Sequence, residues 1–127
     1  MIWTMIYVAI GGAFGATARF LTGVAAARAL GAAFPYGTLC VNVAGSFLMG
    51  IAFVYLIQRE GQVSPWVPFV MTGVLGGFTT FSAFSLDAFT LFERGRMVAA
   101  AAYVGGSVAA SVVALVLGIV LARGITA

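Results

Sequence analysis

Thr38, Asn42 and Ser46 recur every four residues, and so do Tyr103, Ser107 and Ser111. Side chains at that spacing stack along one face of a helix. Each stripe is a ladder of hydroxyl and amide groups able to donate or accept hydrogen bonds. Such a ladder is what a polar permeation track through a membrane requires. A plainer reading stands beside it. Serines in membrane helices bond back to the i−4 carbonyl, and an asparagine amide can serve as interhelical glue worth about 0.6–2 kcal/mol. For Asn42 the stripe leaves both roles open: partner to another helix, or two N–H donors presented to an anion.

The run Gly73-Val74-Leu75-Gly76-Gly77-Phe78-Thr79-Thr80-Phe81-Ser82-Ala83-Phe84-Ser85 carries the second set of candidates. Paired glycines followed by two β-branched threonines make a poor helix interior. The sequence predicts a break near Gly76–Thr80. Backbone carbonyls freed there would suit a small hard cation. Phe81 and Phe84 share a face just beyond, with Phe78 one step earlier. Aromatic rings are positive around their edges, so rings turned edge-on could line a path for a small anion. At this spacing phenylalanines also serve as ordinary packing.

Arg19 lies inside an apolar stretch. A charge at the centre of a membrane helix costs about 2.5–3.5 kcal/mol on insertion scales, which points to a function. It would draw an anion into a vestibule or anchor a neighbouring carbonyl. Snorkelling to the headgroups is the alternative. Asp87 and Glu93 read as interfacial or vestibule charges.

The elements that position these residues follow from composition. Of 127 residues, 63% are hydrophobic and 7% charged. A soluble domain has about 25% charged residues, so lipid is the solvent here. A spanning helix needs about 20 apolar residues. The segments that qualify run roughly over Ile6–Ala27, Leu39–Ile57, Trp66–Phe92 and Met97–Ala122, in a single unit covering 1–127. The first lacks a basic start and carries Arg19, so it reads as a retained helix and not a signal peptide. Gly11 and Gly15 form a small-xxx-small step, as do Ser46 and Gly50. Gly106, Ala110, Ala114 and Gly118 form a longer seam for close helix packing.

One cysteine, Cys40, and no histidine exclude an internal disulfide and the usual transition-metal and acid–base constellations. No enzyme is expected. The arginines are scattered, which gives no nucleic-acid footprint. Arg59 and Arg123 fall on one side of the membrane and Arg28, Arg94 and Arg96 on the other. So even a split predicts insertion in both orientations.

Together these features resemble the Fluc (CrcB) family of small bacterial fluoride channels, along the whole chain. The likeness rests on the late helix-1 arginine, on Gly37-Thr38-Leu39-Cys40-Val41-Asn42-Val43-Ala44-Gly45-Ser46, and on Gly76 through Ser85. It implies an all-α membrane protein with four transmembrane helices per subunit. The third would be broken mid-membrane, and two subunits would form an antiparallel, dual-topology homodimer in the bacterial inner membrane. It implies two fluoride pores. Asn42 matches the pore asparagine, Phe81 and Phe84 the paired rings, and Tyr103, Ser107 and Ser111 the polar track. Thr38 and Ser82 complete the pore candidates. Gly76 and Thr79 match positions whose carbonyls hold a central sodium ion at the dimer interface, and Arg19 matches the vestibule arginine. Two positions depart from the pattern: Asp87 stands where many relatives have glutamate, and Ala83 where many have a hydroxyl.

Fluoride is small and strongly hydrated, so a pore must replace its water with donors, and no carboxylate falls in the proposed track. A small multidrug transporter is the nearest competing class. It depends on a helix-1 carboxylate, whereas the buried charge here is Arg19. A structural subunit of a larger membrane complex would carry the same packing seams but has no need of aligned polar stripes.

Overall fold

The structure, a computed structural model, describes residues 1–61 and 64–127. Four helices in it are long and apolar enough to cross a membrane: α1 (Ile2–Leu30), α2 (Tyr36–Arg59), α3 (Pro68–Glu93) and α4 (Met97–Thr126). At 1.5 Å per residue, the 29 residues of α1 reach about 43 Å, enough for the hydrocarbon layer and both interfaces. Only 11–28% of the most apolar stretch of each span is buried within the chain. The remaining apolar surface faces outward, as a lipid solvent allows.

Helix ends follow local chemistry. α1 stops at Gly31, whose φ of 84° is open to glycine and whose N–H closes on the Ala27 carbonyl. Pro35 sits just before α2, where its missing N–H costs nothing. Gly95, at φ 75°, turns the chain from α3 into α4. The α3–α4 corner is pinned by Arg96, which donates to the Ala33 carbonyl. At the opposite end of the bundle, Arg123 Nε donates to Gln58 Oε1 at 3.2 Å. Phe53–Arg59 in α2 and Pro68–Leu75 in α3 are wound as wider π-helix.

Packing pairs α1 with α3 and α2 with α4. In each pair glycines let the backbones touch. Gly11 and Gly15 face the first half of α3; a Cβ on Gly15 would fall onto the Val74 carbonyl. From the other side, a Cβ on Gly77 would come within 2.8 Å of the Gly12 carbonyl. Between α2 and α4, Gly50 meets the Leu115 carbonyl and Gly118 meets that of Phe47. The α4 seam divides. Ala114 and Gly118 are buried against α2, whereas Gly106 and Ala110 are exposed. A core of Phe84, Leu91, Ala100 and Tyr103 joins the second half of α3 to α4, with Phe34 from the α1–α2 connection packed on it.

Candidate functional site

The α3 backbone is helical to Phe78 and resumes at Phe81, with Thr79 (φ −86°, ψ 160°) and Thr80 (φ −154°, ψ 121°) extended between. Such a stretch leaves amide groups without their i→i−4 partners, and in lipid each needs a substitute. The substitutes come from three directions. Thr80 caps the second half of α3, its Oγ1 accepting from Ala83 N at 3.1 Å. Asn42 of α2 engages Thr80 twice. Its Oδ1 accepts the Thr80 N–H at 2.8 Å, and its Nδ2 donates to the Thr80 carbonyl at 3.0 Å. A backbone N–H only donates and a carbonyl only accepts, so this pairing fixes which way the amide points. Arg19 of α1 donates from Nε to the Gly77 carbonyl at 3.1 Å.

The carbonyls of Gly76, Gly77, Phe78 and Thr79 lose their helical donors across the interruption, and Arg19 replaces the one at Gly77. Thr80 N–H, which would bond Gly76 in a continuous helix, goes to Asn42. Ala83 N–H, which would bond Thr79, goes to the Thr80 hydroxyl. Gly76 is itself exposed. Thr79 uses its own side chain differently, donating from Oγ1 to the Leu75 carbonyl at 3.0 Å.

Beside the interruption runs a groove of about 360 Å³ between α2, α3 and α4. α2 lines it with Asn42, Gly45, Ser46 and Met49, α3 with Thr79, Thr80, Phe81 and Phe84, and α4 with Ser107, Ser111 and the apolar Val108, Val112 and Leu115. The ring centroids of Phe81 and Phe84 stand 5.5 Å apart, tilted by 56°. They differ in surroundings, for Phe84 is 8% exposed and Phe81 77%. Ser107 is buried, yet its Oγ has no hydrogen-bond partner. Unsatisfied buried hydroxyls are uncommon and call for a reason. Among the described residues, no charged side chain lines this groove.

Tyr103, the third rung of the α4 ladder, stands apart from this groove. Its hydroxyl donates to Asp87 Oδ2 at 3.1 Å, and its ring packs against Phe84 and, edge-on, against Phe34. Thr38 borders two further cavities. One, with Arg19, Thr80 and Ala83, lies along α1; the other, with Asp87, Thr90 and Arg94, opens at the α3–α4 end. Thr80 therefore borders both the groove and the Arg19 cavity, and Thr38 both the Arg19 cavity and the mouth. Ser82 is exposed, its hydroxyl 3.2 Å from that of Thr80. Sequence reasoning passed over Thr80 as a site residue, although it caps a helix, receives Asn42 and lines two cavities. Its signal was there: a threonine three residues before the backbone N–H it caps, and three residues after a glycine pair.

A bundle of four apolar spans beside an uncharged groove that carries hydroxyl and amide groups among apolar side chains defines a multi-pass membrane protein. The family description "CrcB-like protein, Camphor Resistance (CrcB)" matches residues 6–119. The chain is 56% identical over 124 residues to "Fluoride-specific ion channel FluC" of Cereibacter sphaeroides, covering 98% of each. It is 57% identical over 126 residues to the protein of that name in Ruegeria sp., again at 98% of each. With "Fluoride-specific ion channel FluC 2" of Nitrobacter hamburgensis it shares 50% over 121 residues, 95% of this chain and 98% of that one. The chain belongs to the CrcB family.

Proposed function

We propose that this chain is a channel that lets fluoride leave the cell passively. The observation that carries the reading is Ser107, a buried hydroxyl with no protein partner, lining a groove with Ser111, Asn42, Phe81 and Phe84. Fluoride needs several donors to replace its water. Ser107 and Ser111 offer hydroxyls, Asn42 keeps one N–H beyond its bond to Thr80, and the phenylalanine edges add positive potential without a binding charge. The lack of any carboxylate along the described groove lining removes the strongest source of repulsion. The names of its relatives support the ion assigned.

In the cavity between the mouth and the groove, Arg19 raises the potential for an entering anion and Thr38 supplies a hydroxyl, while Tyr103 gives its own O–H to Asp87. Flow needs no chemical energy. A negative-inside potential drives the anion outward with about 2.3 kcal/mol per charge per 100 mV. The neutral acid re-enters and dissociates, so the channel relieves accumulation in acidic surroundings.

In this reading two copies assemble antiparallel in the bacterial inner membrane and form two pores, with α3 interrupted at mid-depth. Phe81 is 77% exposed in one chain, which leaves it available to a second copy. The near-even split of arginines between the two ends favours neither orientation. Gly76 and Thr79 would hold a sodium ion through their backbone carbonyls, a donor type that suits a hard cation. Bound there, the ion would neutralise the partial charge of carbonyls left without amide donors.

Passive efflux from liposomes tests the proposal. With a potassium ionophore present, an electrode should record rapid fluoride release while chloride stays inside. A folded dimer that releases no fluoride would reject it.

A further inference from the structure

The interruption in α3 frees a short run of carbonyls, and side chains from two other helices take two members of it. Arg19 takes Gly77 and Asn42 takes Thr80, a pair three residues apart. Gly76 and Thr79, also three residues apart, are left without their helical donors, as is Phe78 between them. We propose that Arg19 and Asn42 are positioning residues for a hard cation: by holding the Gly77 and Thr80 carbonyls, they fix the interrupted backbone so that the Gly76 and Thr79 carbonyls can bind it. The proposal rests on the sodium reading above.

Asn42 sits on both sides of this arrangement. Its amide holds Thr80 by N–H and carbonyl together, which fixes the peptide planes flanking it, and the same residue lines the donor groove. The cation site and the anion path therefore share one side chain. Anything that loosens Asn42 disturbs both. Arg19 acts through a single N–H, its Nε, on a carbonyl 58 positions along the chain. The role assigned is to hold that carbonyl, separate from the guanidinium charge.

That separation can be tested. The Nε2 of glutamine stands as many bonds from the backbone as the Nε of arginine, so Arg19→Gln keeps a donor for Gly77 and drops the charge. Arg19→Met drops both. The readout is thermal unfolding of the purified protein across a sodium titration, with N-methyl-D-glucamine holding ionic strength constant. No ion flux enters it. Removing outer-shell support typically weakens a metal site by about 10–100-fold. Asn42→Ala and Arg19→Met should raise the half-maximal sodium concentration by about tenfold or more, and Arg19→Gln by less than about threefold. A sodium titration unchanged in Asn42→Ala or Arg19→Met overturns the proposal. An Arg19→Gln as weak as Arg19→Met overturns the positional role in favour of charge. A wild-type protein indifferent to sodium removes the cation reading and this inference with it, whatever the liposome flux. Should Asn42→Ala not fold, hydrogen exchange on the wild type decides: the Thr80 amide should exchange more slowly in sodium, and equal rates would count against the proposal.

Discussion

Asn42 holds Thr80 by both ends of its peptide system, accepting its N–H at 2.8 Å and donating to its carbonyl at 3.0 Å. A side-chain amide suits this because it sets an acceptor and a donor side by side without a charge. Asn42→Asp keeps the acceptor and loses the donor, setting a carboxylate against the Thr80 carbonyl and beside the groove. Repulsion of an anion at 4 Å is about 4 kcal/mol at an effective dielectric of 20. Fluoride efflux from liposomes should fall at least a hundredfold, roughly, on that figure. Undiminished efflux would remove Asn42 from the path.

Ser107 sets function against stability. Its buried hydroxyl has no partner, and leaving such a group unmade costs about 1–3 kcal/mol. Ser107→Ala should leave the unfolding midpoint equal or higher while lowering fluoride efflux. A variant that loses stability would show that the hydroxyl is satisfied in the membrane by something other than the permeating ion.

The glycines of α1 differ in what they face. A Cβ on Gly15 would collide with the Val74 carbonyl, whereas one on Gly12 meets nothing within 4 Å. Gly15→Ala should therefore destabilise the bundle by about 1–3 kcal/mol, the usual cost of overpacking. Gly12→Ala should be neutral or slightly stabilising, as alanine is the better helix former. Thermal unfolding of the two variants side by side checks the contrast; equal losses would contradict the α1–α3 contact.

Tyr103→Phe removes one defined bond, the 3.1 Å contact to Asp87, and keeps the ring against Phe34 and Phe84. The expected loss is about 0.5–1.5 kcal/mol, near that of a single hydrogen bond. Tyr103→Ala, which also empties a core position 1% exposed, should cost about 3–5 kcal/mol, as for other large aromatics. Denaturant midpoints of the pair separate the bond from the packing.

Phe81 and Phe84 give a further contrast. Within one chain Phe84 is buried and Phe81 is open. Phe84→Ala should destabilise the subunit, by about 3–5 kcal/mol for a buried phenylalanine. Phe81→Ala should leave the subunit fold intact and weaken association of two copies, read from the concentration at which the purified protein dissociates in detergent. An association unchanged by Phe81→Ala would argue that this ring faces lipid.

Much of this was legible along the chain. Apolar runs long enough to span a bilayer determine four helices, because in lipid a backbone must satisfy itself and the helix is the local way to do so. Four-residue spacing determines that Asn42 and Ser46 share a face, and that Ser107 and Ser111 share another. The Gly-Gly and Thr-Thr pairs mark where helical backbone gives way, because local propensity is weakest there. Each of these is a property of neighbours in sequence.

What the tertiary structure decided is which partner each polar group takes. Nothing near Asn42 in sequence announces that it will hold Thr80, 38 positions away, nor that Arg19 will take the Gly77 carbonyl. The Tyr103–Ser107–Ser111 ladder reads as one track, yet Tyr103 turns to Asp87 and Phe34 while the serines face the groove. The α4 seam reads as continuous, yet α2 covers only its Ala114–Gly118 end, leaving Gly106 exposed. Hydrogen bonds and close packing depend on distances of a few tenths of an ångström between segments remote in the chain. Periodicity determines the face on which a residue lies; the crossing of helices decides what that face meets.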